Sequence, residues 1–246
     1  MKLWILYSKY FENNAVYSPT LMMQAAKKNH IDACLFYFDY FSLNLVNGMQ
    51  KLYYKDKIVN SLPDVVFSRG YYLEILEYLK RNGAHIINTY EGMELVRNKY
   101  KTSLFLRPLK INQPKTIFSR WINFNYLKNE LGLPFIMKDN IGSRGVGVFL
   151  VNNEKEYLKI KEDNPFVEFL YQEFIKESSG QDLRVYIVGD KIIGAIKRIS
   201  CNNDFRANIS QGGDSKLFNI SKDLGETTLK IAKKLNLEIG SIDYLF

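Results

Sequence analysis

The sequence is poor in cysteine and histidine. Its two cysteines, Cys34 and Cys201, cannot form a disulfide scaffold, suit a reducing compartment and lie in no motif that would make either a nucleophile. The two histidines, His30 and His85, stand apart from any ligand at metal-binding spacing, so both are interpreted as structural. The longest apolar runs fall far short of the roughly 20 residues that a membrane-spanning helix needs, and the start lacks an export signal. The sequence therefore predicts a cytoplasmic protein without a membrane segment.

With 46% apolar and 24% charged residues, the composition is that of an ordered globular protein. A chain of 246 residues is long enough for one or two domains. The formal net charge of +8 is unevenly placed: residues 1–95 carry +1, residues 96–150 carry +8 and residues 151–246 carry −1. This concentration favours a local anion site over a basic tail, although a solvated basic face fits the charge equally well. The aromatic content of 14% follows apolar strand and helix positions, which favours core packing over base stacking.

Strand and helix patterns alternate over the first 88 residues, which predicts a small open α/β sheet. A helical pattern covers residues 91–105, and breakers at Pro108 and Pro114 place a domain boundary between residues 88 and 115. The remainder again mixes strands and helices. The fold class predicted is α/β, or α+β, in two domains.

The sharpest motif is an apolar strand that delivers Lys138 into a turn with Gly142, Gly145 and Gly147. Glycines allow backbone amides to approach an anion closely and the lysine supplies charge, so the unit suits the phosphates of a nucleoside triphosphate. A second strand pattern follows at 148–151, whereas Rossmann and P-loop motifs require a helix there.

Several charged residues have the spacing of a polar cleft. Asp182 and Arg184 lie two apart in a strand and therefore share a face, as a cleft pair or as a structural salt bridge. Arg206 and Asn208 have the same spacing, and arginine suits bidentate binding of carboxylate or phosphate. Asp243, in an apolar strand, is either a ligand for a hard cation or a solvent-facing edge residue.

At these residues the chain resembles the RimK-like carboxylate-amine ligases of the ATP-grasp superfamily. Five elements in the family's order carry the resemblance: Ile86-Ile87-Asn88-Thr89 with Arg97-Asn98-Lys99; Lys138 with its glycine turn; Tyr171-Gln172-Glu173-Phe174-Ile175 with Asp182 and Arg184; Asp204-Phe205-Arg206-Ala207-Asn208 before Gln211-Gly212-Gly213; and Gly240-Ser241-Ile242-Asp243.

The resemblance implies a pre-ATP-grasp α/β domain over 1–95 and an ATP-grasp domain over 96–246. Within the latter it implies a glycine-loop subdomain at about 110–175 and a C-terminal subdomain at about 176–246. The family's metal site also uses a glutamate and an asparagine on the strand after the one that matches Asp243. The ATP-grasp fold is therefore expected to be truncated at its C-terminus, as a fragment or as a variant without those two ligands.

The resemblance also implies the chemistry. With ATP and Mg²⁺ (or Mn²⁺), the protein would phosphorylate a carboxylate, and an amine would attack the acyl phosphate to form an amide. The substrates would be an amino acid, a peptide or a protein; a homo-oligomer is left open. The roles implied are these: Lys99 and Lys138 on the ATP phosphates; Gly142, Ser143, Arg144, Gly145 and Gly147 as a loop over them; Glu173 and Phe174 at adenine; Asp182 near the ribose or the amine; Arg184, Arg206 and Asn208 on the acyl phosphate; Asp243 on the metal.

Two alternatives stay open. A non-catalytic nucleotide-binding remnant is favoured by the two missing metal ligands, and an RNA-binding module by a sequence pI of about 9.2.

Overall fold

The structure is a computed structural model that describes residues 1–11, 17–142, 145–201, 204–207 and 213–246. The chain divides into two compact units, Met1–Met93 and Glu94–Phe246. Together the strands and helices make a mixed α/β protein, as the sequence predicts. None of the described helices is both long enough and apolar enough to cross a bilayer.

The first unit contains a parallel sheet and a smaller antiparallel one. Its strands are β1 (Lys2–Tyr7), β2 (Asp32–Tyr37), β3 (Phe41–Val46), β4 (Met49–Tyr54), β5 (Lys57–Ile58), β6 (Val65–Ser68) and β7 (His85–Ile87). The parallel sheet has the order β2-β1-β6-β7, and β3, β4 and β5 form the antiparallel sheet. The helices are α1 (Tyr17–Lys28), α2 (Leu73–Arg81) and α3 (Tyr90–Arg97), of which α3 continues into the second unit.

Helix α2 shows why these residues form these elements. Ile75, Leu76 and Leu79 recur on one side of the helix and are buried, because a 3.6-residue period places them on a common face. The helix ends before Gly83, which has a φ of +95° that residues with a side chain rarely adopt. This face packs into a core with Trp4 and Phe38.

The second unit contains two four-stranded antiparallel sheets. The strands are β8 (Thr116–Phe118), β9 (Phe135–Asp139), β10 (Val148–Val151), β11 (Phe169–Glu173), β12 (Gln181–Val188), β13 (Lys191–Ile199), β14 (Asp214–Leu217) and β15 (Ile239–Tyr244). The first sheet has the order β10-β9-β11-β8 and the second β14-β13-β12-β15. The helices that begin in this unit are α4 (Lys99–Leu106), α5 (Phe124–Leu131), α6 (Glu154–Asp163) and α7 (Lys222–Lys234).

The single helix predicted over 91–105 is wrong. Asn98 has extended backbone angles (φ −93°, ψ 103°) between α3 and α4, and its side chain accepts a hydrogen bond from the Lys101 N–H. An asparagine side chain that caps a helix N-terminus offers the backbone an alternative to continuing the previous helix. Helix α4 therefore begins at Lys99, with that lysine at its first position.

Alternation along two strands decides which side chains point away from the core. On β9, Phe135 and Met137 are buried in a core with α5, so Lys138 belongs to the other face. On β12, Leu183 and Val185 are buried in a core with Leu224 of α7. The opposite face of β12 therefore carries its charged residues.

Candidate functional site

One cleft of about 350 Å³ in the second unit is lined by residues of both of its sheets. Ten of the fourteen predicted site residues line this cleft: Lys99, Lys138, Gly142, Gly145, Glu173, Phe174, Asp182, Arg184, Arg206 and Asp243. Gly147 does not line the cleft but lies in an adjacent groove. Ser143, Arg144 and Asn208 lie outside the described residues.

Two lysines bring positive charge to the cleft. Burial, together with the charge of Lys99, lowers the pKa of Lys138 from an ordinary value of 10.5 to about 8. Among the residues that the structure describes, none accepts a hydrogen bond from the Lys138 amino group or forms an ion pair with it. The Lys99 amino group donates to the backbone carbonyl of Asp139 at 2.7 Å and to that of Gly142, and burial lowers its pKa as well. The cleft thus holds two neighbouring ammonium groups, and that of Lys138 has no counter-charge among the residues that the structure describes.

The glycine turn wraps closely around Asp139. The Asp139 N–H donates to the Gly147 carbonyl at 2.8 Å, and its carboxylate accepts from the Ile141 N–H at 2.8 Å. A Cβ atom on Gly142 would lie 2.9 Å from the Asp139 Cβ, and one on Gly147 would lie 3.1 Å from it. At position 142 a side chain would collide with Asp139, and at position 147 glycine is favoured because its φ of +72° is one that residues with a side chain rarely adopt.

Four charged side chains form a continuous ionic row across β13, β12 and β15. Arg184 donates from Nε and Nη2 to the two carboxylate oxygens of Asp243, each at 2.6 Å. Arg198 donates to both oxygens of Asp182, with Nε to Oδ1 at 2.6 Å, and from Nη2 to Asp243 Oδ2 at 3.1 Å. The Arg198 side chain is 4% exposed and that of Asp182 is 16% exposed, so this end of the row is largely removed from water.

Arg198 was not among the predicted site residues, although it lines the cleft. The signal that could have found it is a second basic residue directly after Lys197 in a mostly apolar strand, since alternation turns the two side chains to opposite faces and a buried one needs a counter-charge. Its partner Asp182 lies directly opposite on β12.

Arg206 lies in a loop. Residues 204–207 belong to no strand, so the strand-like spacing expected for Arg206 and Asn208 is wrong for the described part of that run. Asp204 explains this, because its carboxylate accepts from the Arg206 backbone N–H at 2.8 Å and from its guanidinium at 2.7–3.2 Å, as an Asx turn does. Arg206 Nη1 also donates to the Gly145 carbonyl at 3.0 Å, which ties the glycine turn to this loop.

Glu173 and Phe174 lie at the end of β11, where the chain passes from the first sheet to the second. The Glu173 carboxylate accepts from the Lys115 N–H at 2.6 Å. The Phe174 ring lies edge-on to that of Phe205, with centroids 6.5 Å apart. This part of the cleft offers an aromatic wall and the end of a central strand.

The carboxylates do not form a metal site by themselves. No group of three or more metal-ligating side chains occurs in the described ranges. Both oxygens of Asp243 accept hydrogen bonds from arginine, and so do both oxygens of Asp182. The donor set present at the cleft suits an anion better than a divalent cation.

The fold that carries this cleft, two antiparallel sheets with a glycine turn between strands at its edge, is that of the ATP-grasp class of proteins. The structure aligns over 99% of the chain with the solved "ATP-grasp ligase PsnB complexed with minimal precursor, Mg, and ADP", covering 84% of that chain, with a TM-score of 0.70 and 13% identity. At that identity the likeness shows the fold. The model of the RimK-like ATP-grasp domain matches residues 96–246, and the chain belongs to this family.

Two curated relatives carry the same name. A probable alpha-L-glutamate ligase of Shewanella loihica is 30% identical over 244 residues, which covers 95% of this chain and 80% of that protein. Another of that name from Rhodopirellula baltica is 28% identical over 242 residues, covering 93% of this chain. This chain spans 59% of the length of that second relative. The predicted family and fold are thereby confirmed.

Proposed function

We propose that the cleft binds ATP and that the protein uses it to join a carboxylate to an amine. The observation that carries the proposal is the Lys138 amino group, which is buried beside Lys99 and has no counter-charge among the residues that the structure describes. A cation held in that way is stabilised when an anion enters. Family membership indicates which anion, because solved ATP-grasp relatives contain ADP and Mg.

The dimensions and chemistry of the cleft support a nucleotide. Its volume of about 350 Å³ lies within the range of small-molecule sites, roughly 300–1,000 Å³. Lys99 and Lys138 suit the phosphates, and Glu173 and Phe174 suit the adenine. In this assignment the glycine turn lies over the phosphates, where a backbone without side chains allows close approach.

The proposed reaction transfers the γ-phosphoryl group of ATP to a substrate carboxylate oxygen, which releases ADP. The amine then attacks the acyl carbon, the carbon–oxygen bond to phosphate breaks, and phosphate leaves as the amide forms. Arg184, Arg206 and Asn208 are proposed to bind the acyl phosphate and Asp182 to lie near the ribose or the amine. Guanidinium groups suit the charge that develops on the transferred phosphoryl oxygens.

Arg184 forms an ion pair with Asp243 in the structure, so it must release Asp243 in order to bind the acyl phosphate. The assignment of Asp243 to a metal ion requires the same ion pair to separate. The Asp243 carboxylate oxygens already accept from Arg184 and Arg198, so they do not fit a metal ion in this arrangement, and the proposed steps involve none.

Binding is tested by thermal denaturation with and without ADP. A ligand at 100 times its Kd stabilises the folded state by about 2.7 kcal/mol. That should raise the melting temperature of the wild-type protein by several degrees and leave the Lys138→Met variant nearly unchanged. A wild-type protein that ADP fails to stabilise at millimolar concentration would refute the proposal.

Turnover separates the ligase from a second candidate, a nucleotide-binding protein without catalysis. The pairing of Asp243 with two arginines favours that second candidate. A ligase should release phosphate from ATP only when an amino acid or peptide carboxylate and an amine are both supplied. Stabilisation by ADP without release from any such pair would support the second candidate.

A further inference from the structure

Asn140 joins the base of the glycine turn to the start of α4. It directly follows β9, and its side chain is 0% exposed. Its backbone N–H donates to the Glu168 carbonyl at 3.0 Å, which continues the pairing of β9 with β11. Asn140 is thereby anchored to the sheet, while its acceptor atoms are directed toward the helix.

The first N–H groups of an α-helix have no partner within the helix. In α4, the Lys99 N–H donates to the Asn140 carbonyl and the Tyr100 N–H donates to Asn140 Oδ1, each at 3.0 Å. The next N–H, that of Lys101, donates to Asn98 Oδ1 at 2.9 Å. Two asparagines thus satisfy the start of α4: Asn98 from the position just before the helix, and Asn140 from the end of a strand about 40 residues further along the chain.

This connection is close to the chemistry because α4 and β9 each bring a lysine to the cleft. Lys99 is the first residue of α4, and Lys138 is the next-to-last residue of β9. Two ammonium groups repel each other, the more so away from water, and would move apart without restraint. The hydrogen bonds to Asn140, a neutral residue, oppose that movement.

The amide nitrogen of Asn140 makes no hydrogen bond to any residue that the structure describes. A buried donor without an acceptor destabilises a fold, so this nitrogen is not what the residue contributes. The side chain contributes its Oδ1, which accepts from the Tyr100 N–H, while the acceptor for the Lys99 N–H is the backbone carbonyl that any residue at this position offers. Asn140 does not line the cleft, so it has no direct contact to offer a nucleotide.

We infer that Asn140 is a positioning residue: by joining α4 to β9, it holds the amino groups of Lys99 and Lys138 side by side, in the arrangement that a triphosphate bridges. The inference rests on the proposed nucleotide binding.

The test is a double-mutant cycle on ADP affinity, measured by calorimetry with the full chain. Asn140→Leu, which fills similar space but lacks the Oδ1 acceptor for the Tyr100 N–H, should weaken ADP binding about tenfold. Lys99→Met should also weaken it, and the double variant should bind no more weakly than Lys99→Met alone, because Asn140 acts through Lys99. Losses that multiply in the double variant would overturn the inference.

Asn123→Ala is the matched control. Asn123 Oδ1 accepts from the Asn125 N–H at 2.8 Å at the start of α5, and Asn123 does not line the cleft. Its replacement should lower the melting temperature without changing ADP affinity, and a loss of affinity equal to that of Asn140→Leu would contradict a specific role. If Asn140→Leu does not fold, Asn140→Ser, which leaves room for a water molecule, takes its place in the cycle.

The outcomes separate the two claims. A wild-type protein that does not bind ADP refutes the proposed function. A wild-type protein that binds ADP, with Asn140 variants that bind it equally well, refutes only the positioning role.

Discussion

Replacing Lys138 by methionine should stabilise the protein, although it removes a residue proposed to bind ATP. The Lys138 side chain places its amino group out of water and beside Lys99, and both effects lower the pKa of that group from 10.5 to about 8. Each unit of difference in pKa between the folded and unfolded states corresponds to about 1.4 kcal/mol, so at pH 7 the charge destabilises the folded state by about 3 kcal/mol. Methionine has a similar length and no charge. We therefore expect Lys138→Met to raise the free energy of unfolding at pH 7 by about 2–3 kcal/mol.

The same pKa difference predicts how the effect of the substitution changes with pH. The folded-state pKa of Lys138 is depressed below that of the unfolded chain, so between about pH 8 and 10.5 the unfolded state binds more protons. Wild-type stability should therefore rise with pH in this window relative to the variant. The advantage of Lys138→Met should shrink to about 1 kcal/mol at pH 9.5.

Urea denaturation followed by circular dichroism at pH 7, 8 and 9.5 measures both effects. The exposed Lys216 on β14 provides a control, since Lys216→Met should change stability by less than about 0.5 kcal/mol at each pH. A Lys138→Met variant that is less stable than wild type at pH 7, or whose advantage does not change with pH, would refute the reasoning.

Two further substitutions test the cleft. Arg198→Met leaves Asp182 without its counter-charge in a largely buried position. Urea denaturation should show a free energy of unfolding lower by about 3 kcal/mol. A loss below about 1 kcal/mol would mean that water solvates the remaining Asp182 carboxylate. Gly142→Ala places a Cβ 2.9 Å from that of Asp139 and should weaken ADP binding several-fold in calorimetry. Gly194→Ala on β13, where a Cβ meets nothing within 4 Å, should leave ADP binding unchanged, and equal losses in the two variants would contradict a steric cause.

Alternation along the chain allowed the class of fold to be predicted, and the resemblance of five ordered motifs allowed the family and ten of the residues that line the cleft to be predicted. Lys138 and its glycine turn illustrate this: an apolar strand, a lysine and spaced glycines specify a hairpin wherever it lies in the fold. The strand β3 was not predicted, although Phe41, Leu43 and Leu45 alternate with polar residues. The break at Asn98 was also missed, although asparagine is a frequent N-cap.

The pairing of Asp182 with Arg198, in contrast, could not be predicted from the local sequence. Counting outward from the Gly189-Asp190 turn, a regular hairpin places Asp182 opposite Lys197. A bulge between Tyr186 and Ile187 shifts the register by one residue and brings Arg198 there instead. Such a bulge depends on packing along the whole sheet, so local sequence did not reveal it.

The ionic row has a consequence for how β15 finds its place beside β12. A slip of two residues keeps every side chain on its own side of the sheet, so hydrophobicity alone tolerates the mistake. Starting from the pairing of Arg184 with Asp243, such a slip in one direction sets Asp243 against Asp182, and in the other it leaves Asp243 facing Tyr186. Either misalignment separates opposite charges, so the row of charges selects the one alignment in which the strands of this sheet fit together.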